Sequence, residues 1–110
     1  MLPGPADDLE VITARSGDMV TLTVRGEIDL STSTRLNREL DATLDLQPPL
    51  VRLRIDLSEV TFMDTTGVAL LLKARRRALE LGARFSVSSS SPALTRLFEI
   101  AGLTALLADD

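Results

Sequence analysis

The sequence predicts a single α/β domain with a small, mixed, mostly parallel sheet, an N-terminal antiparallel hairpin and helices mainly on one face. Stretches with a residue period of two alternate along the chain with stretches of helical period, as they do in successive strand–helix units. Residues 51–57 alternate apolar with charged side chains, whereas a parallel strand covered on both faces is apolar almost throughout. We therefore expect water over much of one face of the sheet.

The composition excludes several classes of function. The chain has 110 residues, no cysteine and no histidine, which removes disulfides, thiolate chemistry, the usual general base and the commonest metal ligands. Its formal charge of −4 and its three aromatic residues do not fit a nucleic-acid-binding surface. No apolar stretch reaches the roughly 20 residues of a membrane span. We expect a cytoplasmic protein that binds neither nucleic acid nor membrane.

Catalysis fits this chain poorly. Glu27, Asp29 and Asp64 are carboxylates that could pair as an acid and a base. The sequence has no nucleophile–base pair, no glycine-rich phosphate loop and no cluster of metal ligands. We therefore expect no enzymatic activity, no cofactor and no metal.

The N-terminal region predicts a hairpin after a flexible segment at residues 1–8. Residues 9–14 and 20–25 are rich in β-forming side chains, and the glycine and aspartate between them suit a turn. In the second run apolar and polar residues alternate, so one face of that strand is expected to be buried.

The first helix is predicted at residues 31–46. The segment at residues 26–29 leaves the hairpin, and on local grounds Asp29 is interpreted as a cap or turn residue. Hydroxyl side chains at residues 31–34 offer several further helix caps, and two prolines end the helix. Its apolar positions recur at helical spacing; they are Leu36, Leu40, Thr43 and Leu44.

The centre of the chain carries a turn between a strand and a helix. The strand is predicted at residues 51–57, and residues 58–63 lead into the turn Asp64-Thr65-Thr66-Gly67. A helix at residues 67–81 follows and ends at Gly82. The simplest interpretation of the turn is a helix cap, because aspartate and threonine oxygens accept the free N–H groups of a first helical turn.

The helix at residues 67–81 is predicted to bury one stripe and expose a basic face. Arg75 lies within the stripe, where its aliphatic stem can follow the edge of the core. Arg76 belongs to the basic run Lys73-Ala74-Arg75-Arg76-Arg77. This run fits a solvated helix face better than a contact with an acidic patch on a partner. The stripe consists of Val68, Leu71, Leu72, Ala78 and Leu79.

The C-terminal part is predicted to contain another strand and another helix. The strand covers residues 83–87, and a polar loop of serines covers residues 88–91. Ser91 followed by Pro92 is typical of a helix start, and Gly102 ends that helix. Residues 103–107 are predicted to form a last short strand.

Three blocks of the sequence resemble one known family. F-M-D-T-T-G at residues 62–67, followed by an aliphatic helix, is similar to the signature of STAS domains of the bacterial anti-sigma factor antagonist type. G-E-I-D at residues 26–29 and the segment at residues 91–103 agree with it in order and spacing. The resemblance implies the STAS fold for a single domain at residues 9–110, with Asp29 beside the central turn.

The resemblance also implies a phosphorylation switch. Thr66 matches the position of the family's phosphoacceptor, where most close relatives have serine. The implied partners are an anti-sigma factor that is an ATP-dependent serine/threonine kinase and a phosphoprotein phosphatase, and the implied state is a monomer or weak dimer. The unphosphorylated form would bind the kinase and release the sigma factor. The residues expected around the switch or at the partner are Glu27, Asp29, Asp64, Thr65, Gly67 and Arg76.

An alternative remains open from the sequence. A STAS domain can also be a non-switching interaction subunit of a transporter ATPase or of a signalling scaffold, and no residue of this chain excludes that role.

Overall fold

The computed structural model describes residues 9–46 and 49–103 as one layer of strands covered by helices. In chain order the elements are β1 (Leu9–Ser16), β2 (Met19–Ile28), α1 (Leu30–Leu44), β3 (Arg52–Met63), α2 (Thr65–Glu80), β4 (Arg84–Ser90) and α3 (Pro92–Ile100). The sheet has the order β1-β2-β3-β4, with β1 antiparallel to β2 and the other neighbours parallel. This confirms the predicted fold class. Residues 1–8, and residues 104–107 of the last predicted strand, lie outside the described residues.

The core lies between the helices and one face of the sheet. Val20 pairs with Leu53 and Leu22 pairs with Ile55 in the parallel register of β2 and β3, so these four side chains point to the same face. All four are fully buried, and the phenyl ring of Phe98 from α3 is buried against the same cluster. The alternation predicted for the hairpin and for β3 is therefore confirmed in the core. Within the described ranges, every helix is too short or too polar to span a bilayer.

The strands extend further than the sequence pattern predicts. β3 continues to Met63, but its pairing with β2 shifts register after Thr23 and after Gly26. Such bulges break the period of two, so the buried residues after Leu57 are Val60 and Met63, three apart. Residues 26–28, which the sequence predicts to leave the hairpin, belong to β2, because the pairing with β3 continues beyond the bulges.

The prediction of a serine loop at residues 88–91 is wrong, because β4 continues to Ser90. Ser89 and Ser90 pair with Asp56 and Leu57 of β3, because the free backbone groups of that strand complete a ladder whatever side chain the partner has. Ser91 is the N-cap residue of α3, with Pro92 following, but its hydroxyl donates to the carbonyl of Val60 at 2.8 Å instead of capping the helix.

The starts of α1 and β3 also differ from prediction. α1 begins at Leu30 with Asp29 as its N-cap, so the hydroxyls at residues 31–34 lie inside the helix. Val51 is 51% exposed and precedes β3; its N–H donates to the carbonyl of Asp18 at 2.7 Å. This bond attaches the hairpin turn to the start of β3.

The predicted apolar stripe of α2 is partly wrong. Leu72 and Leu79 are 40% and 49% exposed, because the helix lies close to its neighbours and turns small residues inward. Arg77, assigned to a solvated face, forms ion pairs with Asp41 and Asp45 of α1, the second at 3.4 Å. The buried positions of α2 are Gly67, Leu71, Ala74 and Ala78.

Candidate functional site

Two helix starts lie side by side at one edge of the sheet. Ile28 ends β2 and Met63 ends β3, and these residues are partners in the parallel register. The next residue in each case is an aspartate that caps a helix, Asp29 for α1 and Asp64 for α2. The N–H of Asp64 donates to the carbonyl of Ile28 at 3.1 Å. Neighbouring strands are about 5 Å apart, so the two caps share one small surface.

The start of α1 is closed by a reciprocal set of hydrogen bonds. The Asp29 carboxylate accepts from the N–H groups of Ser31 and Thr32 at 2.9 and 3.1 Å and from the Ser31 hydroxyl at 2.7 Å. The Thr32 hydroxyl accepts from the Asp29 N–H at 3.0 Å and donates to the Glu27 carbonyl at 2.9 Å. The hydrogen bond from the Ser31 hydroxyl is the main cause that lowers the pKa of Asp29 below its ordinary value. Partial desolvation of the carboxylate raises this pKa, and the hydrogen bonds from the backbone N–H groups lower it further.

This cap predicts a pH-dependent stability. The pKa of Asp29 in the folded protein lies below its ordinary value of 3.8. The ionised carboxylate therefore stabilises the fold fully above that pH, and this stabilisation is lost as the pH falls through the pKa of the folded protein. We expect wild type to be more stable than Asp29→Asn near neutral pH, with the difference disappearing on acidification below about pH 4. Urea denaturation of both proteins at several pH values measures this difference.

A second variant isolates the cause of that effect. Ser31→Ala removes the main hydrogen bond to the carboxylate, so the pH-dependent effect of Asp29→Asn should shrink when both proteins also carry Ser31→Ala. A stability difference that stays constant from neutral to acidic pH would contradict the assignment of the shift to Asp29.

The turn before α2 presents two threonines in different environments. The Asp64 carboxylate accepts from the N–H groups of Thr66 and Gly67 at 2.9 and 3.3 Å. Thr65 is exposed and Thr66 is half-buried. The Thr66 hydroxyl makes no hydrogen bond with any residue that the structure describes. It is therefore available for chemistry at the start of the helix.

Gly67 allows α2 to lie against the ends of both strands. A Cβ atom at this position would be 2.6 Å from Cγ of Met63 and 2.7 Å from Cγ2 of Ile28. These distances are shorter than van der Waals contact, so no larger side chain fits without movement. Glycine is required here because the backbone of α2 lies close to the side chains of Met63 and Ile28.

Two depressions flank the turn. A pocket of about 320 Å³ lies between α1 and α2, and Thr66 is in its wall. A larger and more apolar groove of about 540 Å³ lies between α2 and α3 and is bordered by Thr65 instead. We call these the α1–α2 pocket and the α2–α3 groove. The α1–α2 pocket is lined by Ser33, Thr34, Asn37, Thr66, Ala69, Leu70 and Lys73; the α2–α3 groove is lined by Phe62, Met63, Asp64, Thr65, Val68, Ala69, Leu72, Leu97 and Ala101.

The structure brings together most of the residues expected at the switch. Asp29, Asp64 and the three residues that follow Asp64 lie at the two helix starts. Glu27 is exposed at the end of β2 and contributes its backbone carbonyl. Arg76 is exposed on α2, ten residues after Thr66, which is about 15 Å along the helix axis. It is not brought to the turn.

Lys73 belongs to the basic run that the sequence places on a solvated helix face, and the sequence analysis does not assign it to the switch. It lies seven residues after Thr66, a spacing that returns to nearly the same face of a helix, and both side chains line the α1–α2 pocket. That spacing is the signal that could have identified it.

Comparison with known proteins identifies the family of this chain. The family model described as "Mlab, STAS domain" matches residues 11–108. The chain belongs to the STAS domain family. The anti-sigma-B factor antagonist of Listeria monocytogenes is 33% identical to this STAS domain over 96 residues, which cover 87% of the chain and 82% of the relative. The anti-sigma-B factor antagonist of Bacillus subtilis is 27% identical over 96 residues, 87% of this chain and 85% of its own length.

Solved structures share the fold of this STAS domain. An anti-sigma factor antagonist from Mycobacterium paratuberculosis superposes with a TM-score of 0.80 at 26% identity, covering 93% of this chain and 85% of its own. The anti-sigma factor antagonist SpoIIAA in its unphosphorylated form gives a TM-score of 0.76 at 20% identity, with 92% and 88% covered. The second likeness concerns the fold alone. Together they confirm the STAS fold that the sequence motifs imply.

Proposed function

We propose that this protein is an anti-sigma factor antagonist whose unphosphorylated form binds an anti-sigma factor with serine/threonine kinase activity and so releases a sigma factor. The observation that carries the proposal is the Thr66 hydroxyl, half-exposed at the first turn of α2 and without a hydrogen-bond partner among the described residues. The relatives named anti-sigma-B factor antagonist, which match 87% of the chain, support it. Since a sigma factor acts with RNA polymerase, the proposal places the protein in the cytoplasm.

The proposed modification is transfer of the γ-phosphoryl group of ATP to Thr66. The Thr66 Oγ1 atom forms a bond to the γ-phosphorus, the bond from that phosphorus to the β–γ bridging oxygen breaks, and ADP leaves. The hydroxyl proton passes to a base of the kinase or to water. The helix start suits the product, because free N–H groups and the helix dipole favour negative charge there. A phosphoprotein phosphatase would reverse the modification by hydrolysis.

The phosphate supplies enough energy for a switch. It brings about −1.5 to −2 charges at neutral pH beside the carboxylates of Asp29 and Asp64. At ~6 Å from one carboxylate, with an effective dielectric of ~20, the repulsion is about 3 kcal/mol per unit charge before screening. An acidic group of the partner that approaches this surface meets the same repulsion. Half of that energy changes an affinity about tenfold.

The docking surface proposed for the kinase includes the α2–α3 groove. The exposed side chains of Phe62 and Leu72 border this groove together with Thr65. A kinase that brings ATP to Thr66 must cover the neighbouring residue and hence part of the groove. The apolar lining would supply binding energy through burial. The phosphate on the adjacent residue would add negative charge that opposes the approach of an acidic partner surface.

Phosphosite mapping tests the proposal. The protein is used to capture its partner from lysate of its own organism, and the captured kinase is incubated with the protein and ATP. We expect mass spectrometry to find one phosphate on Thr66, no incorporation into Thr66→Ala, and normal incorporation into the matched variant Thr65→Ala.

Two outcomes would overturn the assignment. Phosphate on Thr65 would move the acceptor to the exposed hydroxyl that borders the groove. Capture of an ABC-type ATPase, with no phosphate on either threonine, would instead support the alternative of a non-switching interaction subunit.

A further inference from the structure

Lys73 is placed to reach a group carried by Thr66. Seven residues of an α-helix rise about 10.5 Å and return to within about 20° of the starting direction. Side chains on a helix tilt toward its N-terminus, so the long flexible stem of Lys73 leans toward Thr66. Both residues line the α1–α2 pocket.

The pocket holds hydrogen-bond donors that the described structure does not use. Neither the Lys73 ammonium nor the Thr34 hydroxyl has a hydrogen-bond or ion-pair partner among the residues described. Asn37 donates one amide hydrogen to Asp41 at 3.4 Å, and the amide carries a second. One turn further along α2, Arg77 differs from Lys73 because it is paired with the acidic residues of α1.

We propose that the α1–α2 pocket receives the phosphoryl group of phosphorylated Thr66, with Lys73 as its counter-ion and α1 as the opposite wall. This proposal rests on the proposed function for the phosphorylation itself. Thr66 lines this pocket and does not line the α2–α3 groove, so the phosphate has its own receptor away from the apolar surface. The phosphate oxygens accept hydrogen bonds strongly, and the pocket offers donors from both helices.

The consequence is a phosphorylated state stabilised within the molecule. An ammonium beside the phosphate favours the doubly charged ester, whereas the carboxylates of Asp29 and Asp64 at the same surface disfavour it. Both carboxylates remain in every variant used below, so a difference between variants reports the contribution of one cation.

The test measures the titration of the phosphate directly. Phosphothreonine is built into position 66 of the full chain by genetic code expansion or semisynthesis, and its second pKa is followed by phosphorus NMR. A unit charge at ~6 Å shifts this pKa by about 0.5 pH unit in a water-like dielectric and by about 2 pH units at the effective dielectric of ~20 used above. We expect the phosphate pKa to rise by at least about 0.5 pH unit in Lys73→Met.

Arg76→Met is the matched control, because it removes the same charge from the exposed helix surface about 15 Å away, beyond the Debye length at physiological salt. It should leave the phosphate pKa unchanged. Amide signals of Thr34 and Asn37 should move on phosphorylation, while those of Leu97 and Ala101 in the groove should not.

Equal shifts in Lys73→Met and Arg76→Met, or no shift in either, would overturn the assignment of Lys73. Signal changes confined to the groove would overturn the pocket as receptor. Because the phosphate is installed without a kinase, a kinase that ignores Thr66 would refute the proposed function and leave this measurement standing.

Discussion

Thr66→Asp should weaken binding of the partner kinase by about tenfold or more. A carboxylate at this position adds one negative charge to a surface that already carries Asp29 and Asp64. An acidic group of the partner at ~6 Å would meet about 3 kcal/mol of additional repulsion, and half of that suffices for a tenfold effect. Isothermal titration calorimetry with the captured kinase measures the change. The weakening should become smaller at high salt, because ions screen charges at an exposed surface.

Two further variants separate charge from shape in this experiment. Thr66→Asn has nearly the same size as Thr66→Asp but no charge, so it should keep most of the affinity. Thr66→Ala should bind the kinase in the presence of ATP for as long as it is incubated, because no phosphate can be added. An equal loss with asparagine and aspartate would show that packing, and not charge, operates the switch.

Gly67→Val should cause a large loss of stability. The first carbon of the new side chain alone would overlap Met63 and Ile28, at 2.6 and 2.7 Å, and valine adds two branches to it. Overpacking of a core typically costs 1–3 kcal/mol and occasionally more; we expect about 3 kcal/mol here. For a domain of this size the melting temperature should fall by about 15 °C, measured by thermal denaturation.

Gly67→Ala and Thr65→Val are the controls for that loss. Alanine adds only the first carbon and is a better helix former than glycine by about 1 kcal/mol, so its net effect should be smaller and of the same sign. Valine at the exposed position 65 introduces the same side chain two residues earlier and should change stability by less than about 0.5 kcal/mol. A melting temperature for Gly67→Val equal to that of wild type would show that α2 can move away from the strands without loss of stability.

The sequence predicts the buried residues of a helix best where a single amphipathic pattern determines them. Leu36, Leu40, Thr43 and Leu44 form the predicted face of α1, and all are buried, because a single amphipathic stripe faces a single core. The predicted face of α2 fails at Leu72 and Leu79, since close packing there favours alanine and glycine over larger apolar residues. Hydrophobicity alone cannot detect a preference for small volume.

The sequence predicts the parts of the candidate site and, through the resemblance, that Asp29 lies beside the central turn, but it does not predict which threonine faces which depression. The motif at residues 62–67 indicates the turn and, through the resemblance, the acceptor. Whether Thr65 or Thr66 faces the α1–α2 pocket depends on the rotation of α2 about its axis, which follows from packing at Gly67. The length of β3 depends on bulges in its pairing with β2, and no pattern within either strand alone reveals them.

The bond from the Asp64 N–H to the Ile28 carbonyl has a consequence for the kinetics of recognition. It joins two turns that are each already closed by their own caps, so little conformational entropy remains to be lost when another protein docks on them. Encounter should therefore resemble the meeting of two rigid bodies, with an association rate limited by diffusion and orientation. In such a surface a single covalent change is not absorbed by rearrangement, so an added charge changes both the salt-dependent association rate and the lifetime of the complex.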